Sequence, residues 1–175
     1  MADILPEKWM KGVAATTTVL AVCASIAASR GTTCVAKAQL LTSIEGSKWG
    51  YYQAKSIKHN LLETQVTAFE IQRLGSLASE QRARLEQQLQ ALRADVTRYD
   101  TEKEQIRQEA EAVGKENAIV NRRGGNFSLA VVFIQIGIML SSVSALLKRK
   151  ALWALGLVAG VIGMVYLANG VFLFF

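Results

Sequence analysis

Two apolar runs without a single charge close the chain: FSLAVVFIQIGIMLSSVSALL (127–147) and ALWALGLVAGVIGMVYLANGVFLFF (151–175). Each is near or above the roughly 20 residues needed to cross the hydrocarbon core of a bilayer. Only Lys148-Arg149-Lys150 lies between them, so a tight antiparallel transmembrane hairpin is predicted. A third run, GVAATTTVLAVCASIAAS (12–29), is Ala- and Thr-rich and poor in large apolar side chains. It fits a cleaved signal peptide with Lys8 and Lys11 as its basic start. It also fits a lipoprotein signal ending at Cys23, although Val22 is a poor residue before such a cut. The third reading is a retained membrane helix, and we adopt it. Its small residues suit close packing against other helices.

Between these runs lies a polar region, 31–126. Its second half carries a row spaced alternately by four and three: Leu85, Leu89, Leu92, Val96, Tyr99, Lys103, Ile106, Ala110, Val113. Charges of both signs fill the other positions, which is the pattern of a coiled coil. A rougher row precedes it: Tyr52, Lys55, His59, Leu62, Val66, Phe69, Arg73. Both rows falter at GSLAS, so a turn is predicted near 75–79, with Ser79 as N-cap of the second helix. Two helices of about 40 residues would make an antiparallel arm roughly 60 Å long, leaving the membrane after residue 30 and returning by 127. With the turn centred near 75–76, the numbers of facing residues sum to about 151. That pairs Val66 with Leu85, Leu62 with Leu89, His59 with Leu92 and Tyr52 with Tyr99. Gly124-Gly125 is expected to break the returning helix and Asn126 to cap the next, with Arg122 and Arg123 at headgroup level. The expected organisation is therefore 1–30 as an N-terminal segment with membrane helix 1, 31–126 as the arm, and 127–175 as the hairpin. It is an all-α integral membrane protein with three transmembrane helices.

Composition narrows the function classes. Hydrophobic residues make up 51% of the chain and charged residues 19%, and Pro occurs once. The net charge is +6, half of it supplied by Lys148-Arg149-Lys150. Residues 78–123 hold as many acids as bases. Basic charge beside apolar segments is a topology signal and not a phosphate-tracking groove, so no nucleic-acid partner is expected. Cys23 and Cys34 make neither a disulfide framework nor a metal site.

Two stretches, WGYYQAKSIKHNLLE (49–63) and LAVVFIQIGIMLSSVSALLKRKALWALGLVAGVIGMVYLANG (129–170), resemble a bacterial family of unknown function, number 4337 in the domain-of-unknown-function series. That family has an N-terminal apolar segment, a W-x-Y-Y-Q-A-K-S-I-K motif, a charged helical stretch and a closing apolar hairpin. This chain departs from it near the N-terminus, which is poor in His and acidic residues. The resemblance implies membrane localisation and a helical build, and no activity.

The aromatic and basic residues at 47–60 are the first candidate site. His59 is the only His in the chain. No nucleophile–base–orienter set assembles around it with Lys55 and Ser56, so no catalytic residue and no enzymatic activity are expected. Tyr52, Lys55 and His59 fall on the arm seam, with Trp49 and Tyr51 on an adjoining face. The predicted interface is Trp49, Tyr51, Tyr52, Lys55, His59 and Leu62, facing Leu85, Leu89, Leu92 and Tyr99. In the hairpin, Gly156, Gly160 and Gly163 permit close helix approach. Gln135 should lie level with Gly163, as a buried amide in an interhelical hydrogen bond or lining a pathway. Asn169 and Thr16-Thr17-Thr18 are weaker candidates of the same kind. Glu102, Glu104, Glu109 and Glu111 read as a solvated face, so neither metal nor cofactor is expected.

The short Lys148–Lys150 loop places itself, with Lys8 and Lys11, on the cytoplasmic side of a bacterial inner membrane. The arm is then extracytoplasmic, and Cys34 there is a free thiol or an intermolecular bridge. Apolar residues off the main seam (Ile44, Tyr51, Leu61, Ile71, Leu74, Leu77) suggest a second contact surface. The expected function is structural or scaffolding, as a homo-oligomer in lipid with a possible protein partner at the arm. The alternative is a subunit of a channel- or transporter-like assembly.

Overall fold

The computed structural model describes residues 8–75 and 78–174. They form three helices, α1 (Lys8–Arg73), α2 (Ser79–Leu147) and α3 (Lys150–Phe172), with no strand among the described residues. Each is long and apolar enough over part of its length to cross a membrane. The chain divides into two compact units, one of residues 1–40 with 117–175 and one of residues 41–116.

The helix ends follow from local chemistry. Arg73 stands in the last turn of α1, where a cation complements exposed carbonyls. Leu74 and Gly75 then donate to the carbonyls of Ile71 and Gln72, each at 3.1 Å, tightening the exit. Ser76 and Leu77 of the predicted turn lie outside the described residues. Ser79 is the first residue of α2 and not its cap, because the Ala78 carbonyl accepts the opening bond from the Arg82 N–H. Between α2 and α3 the turn is shorter. Lys148 adopts φ 50°, the Arg149 N–H donates to the Ser144 carbonyl, and the Ser144 hydroxyl donates to the Arg149 carbonyl at 3.0 Å.

One predicted boundary is corrected. Gly124-Gly125 does not break the chain, and α2 runs through both. Glycine costs a helix only about 1 kcal/mol relative to alanine, which long flanking helix can absorb. Gly124 faces α1, where a Cβ would make ordinary contact with Cβ of Cys34 at 3.4 Å. Asn126 is consequently mid-helix and caps nothing; its side-chain nitrogen is buried without a hydrogen-bond partner.

In the unit of 1–40 and 117–175, the core is built at seven-residue intervals. Val13, Leu20 and Ala27 are buried on α1, and Val120, Phe127, Ile134 and Ser141 on α2, with Ala130, Gly137 and Ser144 between them. The buried positions of α3 are almost all glycine: Gly156, Gly160, Gly163 and Gly170, with Asn169. Trp153 closes α3 onto α1 by donating to the Thr16 hydroxyl at 3.2 Å. Phe133 stacks on Tyr166 with ring centroids 5.7 Å apart. Lys150 Nζ lies 6.0 Å from the Trp9 ring, so the start of α1 and the α2–α3 turn share one end of this unit.

Candidate functional site

In the unit of 41–116, both predicted rows turn inward except at Arg73, which is exposed. Leu85, Leu89, Ile106 and Ala110 are buried, and Leu92, Val96, Tyr99, Lys103 and Val113 are half-buried. Opposite them, His59 is buried, while Tyr52, Lys55, Leu62, Val66 and Phe69 are half-buried. The segments run antiparallel: Lys48 pairs with Glu109, Lys55 with Glu102 and Glu70 with Arg93.

The register differs from the expected one. His59, expected opposite Leu92, has Nε2 3.9 Å from Asp100. Tyr99, expected opposite Tyr52, lies under Lys55, whose Nζ is 4.7 Å from its ring. The displacement is three residues at Lys55–Tyr99, six at Lys48–Glu109 and Lys55–Glu102, eight at His59–Asp100 and twelve at Glu70–Arg93. It averages roughly one heptad, a slip that leaves every inward position inward. The apolar rows therefore fix the phase of each helix but not its heptad. Cross-strand ion pairs and the aromatic–lysine contacts distinguish the alternatives.

The aromatic cluster is thus divided. Trp49 packs edge-on against Tyr52 at 5.6 Å, yet Trp49 and Tyr51 are themselves exposed. Lys55 Nζ sits 2.5 Å from Glu102 Oε2 and 5.5 Å from the Tyr51 ring. The Glu102 hydrogen bond raises the Lys55 pKa against the opposing effect of desolvation, with Tyr51 adding to the rise. The same bond lowers Glu102. Lys55 is therefore held as an ammonium, which suits a structural cation and not a proton acceptor. Further along α2, hydrogen bonds from Arg107 and then Gln108 hold Glu104 down to about 2. An open cleft of about 480 Å³ lies beside Lys48, Tyr51, Lys55, Glu102 and Glu109. His59 Nδ1 is buried and lacks a hydrogen bond; Glu63 is 3.6 Å away. No group of three potential metal ligands occurs among the described residues.

The candidates in the apolar segments separate as well. Gly156, Gly160 and Gly163 are buried at helix contacts. A Cβ on Gly163 would lie 2.6 Å from Ile134 Cγ1. Hairpin geometry thus located the depth to within one residue, but Gln135 is exposed and does not face Gly163. Depth comes from counting along the hairpin, whereas the side-chain direction comes from helical phase. The seven-residue spacing of Ala130, Gly137 and Ser144 marks that phase, and the sequence reading missed it. The hydroxyls of Thr16, Thr17 and Thr18 donate to carbonyls of their own helix at 2.7–3.0 Å.

The family match spans residues 9–173 and is to the domain of unknown function DUF4337. The chain belongs to this family. No curated protein and no solved structure matches it. The DUF4337 match takes in α2, α3 and all of α1 but its first residue.

Proposed function

We propose that this DUF4337 protein is a membrane-anchored structural or scaffolding protein without catalytic activity, which self-assembles through a coiled-coil arm. It would reside in a bacterial inner membrane, with Lys148-Arg149-Lys150 cytoplasmic and residues 41–116 extracytoplasmic. The observation that supports this is a second row on α1, outside the packed seam. Ala54, Ile57, Leu61, Thr64, Ala68 and Ile71 alternate in steps of three and four, and all are exposed. Ile57, Leu61 and Ile71 are 62%, 58% and 65% exposed. A heptad row of this kind in water favours another helix.

The test is the mass of the full chain, solubilised in nanodiscs, by native mass spectrometry. A discrete multi-subunit particle that dissociates in the Ile57→Lys, Leu61→Glu double variant is the expected result. A monomeric wild-type protein would sink the reading. A channel- or transporter-like assembly is the second reading, favoured by the outward position of Gln135. Thr16–Thr18 add little to it, since their hydroxyls are bonded to their own backbone.

A further inference from the structure

Resting on that oligomeric membrane reading, we propose that the outward face of α2 is a self-association seam in which the Gln135 amide hydrogen-bonds Gln135 of a second copy. Ser128, Gln135 and Ser142 stand seven residues apart, with Val132, Met139 and Leu146 between them, and all six are exposed. The inward residues Ala130, Ile134, Gly137 and Ser141 occupy the other side of the helix. This unpartnered face therefore keeps the 3.5-residue period of a helix–helix seam through the membrane segment.

Gln135 supplies the reason for a partner and identifies it. Its side chain makes no hydrogen bond with any described residue. Lipid cannot satisfy an amide, so a group at this depth needs a protein partner. Ser142 does not need one, since its hydroxyl donates to the Ile138 carbonyl at 2.9 Å. An amide carries donors and an acceptor, and so can pair with another amide of the same kind. Copies with one membrane topology run parallel, which brings residue 135 to the same depth in each. The apolar groove beside Val19, Leu157 and Met164 is a poorer seat. The hydroxyl there, Thr16, already donates to its own helix and accepts from Trp153.

The experiment is oxidative cross-linking of the full chain in membranes. Cys23 and Cys34 are replaced by Ala, and single cysteines are placed in turn at 129, 132, 136 and 139, each with Gln135 retained. Cross-linked dimer is expected at 132 and 139 and not at 129 or 136, which are exposed but flank the seam. With the cysteine at 139, Gln135→Leu should lower cross-linking about tenfold, as loss of an intramembrane hydrogen bond predicts. Gln135→Asn should restore most of it. Equal cross-linking around the helix, or no effect of Gln135→Leu, would overturn the seam. If the particle stays multi-subunit while 132 and 139 fail to cross-link, the seam falls and the arm-based assembly stands. A monomeric particle without cross-links removes both.

Discussion

A Cβ on Gly137 would fall 2.8 Å from the Gly156 carbonyl oxygen and 3.1 Å from the Gly160 nitrogen. Both are backbone atoms and cannot turn aside. A Cβ on Gly160 meets only the flexible end of Leu20, at 2.9 Å. Gly137→Ala should therefore destabilise the unit of 1–40 and 117–175 by about 1–3 kcal/mol, and Gly160→Ala by less, as overpacking of a tight contact does. Denaturant unfolding in micelles, followed by circular dichroism, checks the order. His59 is 7% exposed, with Nδ1 lacking a partner. His59→Leu removes the unpaired group at similar volume and should raise stability by about 1 kcal/mol. His59→Ala opens a cavity and should lower it by about 2 kcal/mol. Both are read as shifts in denaturation midpoint. Gly156, Gly160 and Gly163 were legible in the sequence because small-xxx-small spacing has a direct packing meaning. The outward turn of Gln135 was not, because a lone amide suggests burial and only its neighbours' phase says otherwise.

For whole elements, periodicity told more than composition did. The rows from Tyr52 to Phe69 and from Leu85 to Val113 point inward as their spacing demands. Their pairing was not legible, since a repeat of seven looks the same after a shift of seven. The glycine pair at 124–125 misled because a long helix on either side absorbs its cost, and the approach of Gly124 to Cys34 is a tertiary fact. With native cysteines removed, an intrachain cross-link is expected between cysteines at 55 and 102 and not between 55 and 96, as gel mobility would show. The charge pairs also set a pH response. Glu102 and Glu104 have lowered pKa values, so their contribution is complete above about 4.5 and fades as pH falls, for Glu104 toward about 2. Lys55, raised by its partner, contributes fully below 10.5 and loses this as pH rises through its raised value. The melting temperature of the 41–116 helices should drop on acidification from pH 4.5 to 2. The drop should be smaller in Glu104→Gln, as thermal circular dichroism would record.

In the molecule as a whole, the apolar segments were the most legible feature, because long runs without charge have few alternatives. Composition changes near residues 30 and 126, while the compact units meet at 40–41 and 116–117. Helix–helix packing thus continues past the point where the sequence turns polar, with Ala38 and Asn117 still buried. In a cysteine-free background, a membrane-impermeant maleimide added to right-side-out cells should label Ser79→Cys. It should leave Lys148→Cys unlabelled until the cells are opened. The reverse pattern would invert the proposed topology.

The seven-residue slip between expected and observed pairing gives the helix pair a ruler. Lengthening each strand by one heptad, about 14 residues in total, returns every inward side chain to its former bearing. The helix pair would then be about 10 Å longer. An insertion of one residue in a single strand would instead swing everything beyond it by about 100°. The length of the helix pair can thus change in discrete notches without turning its inward side chains outward.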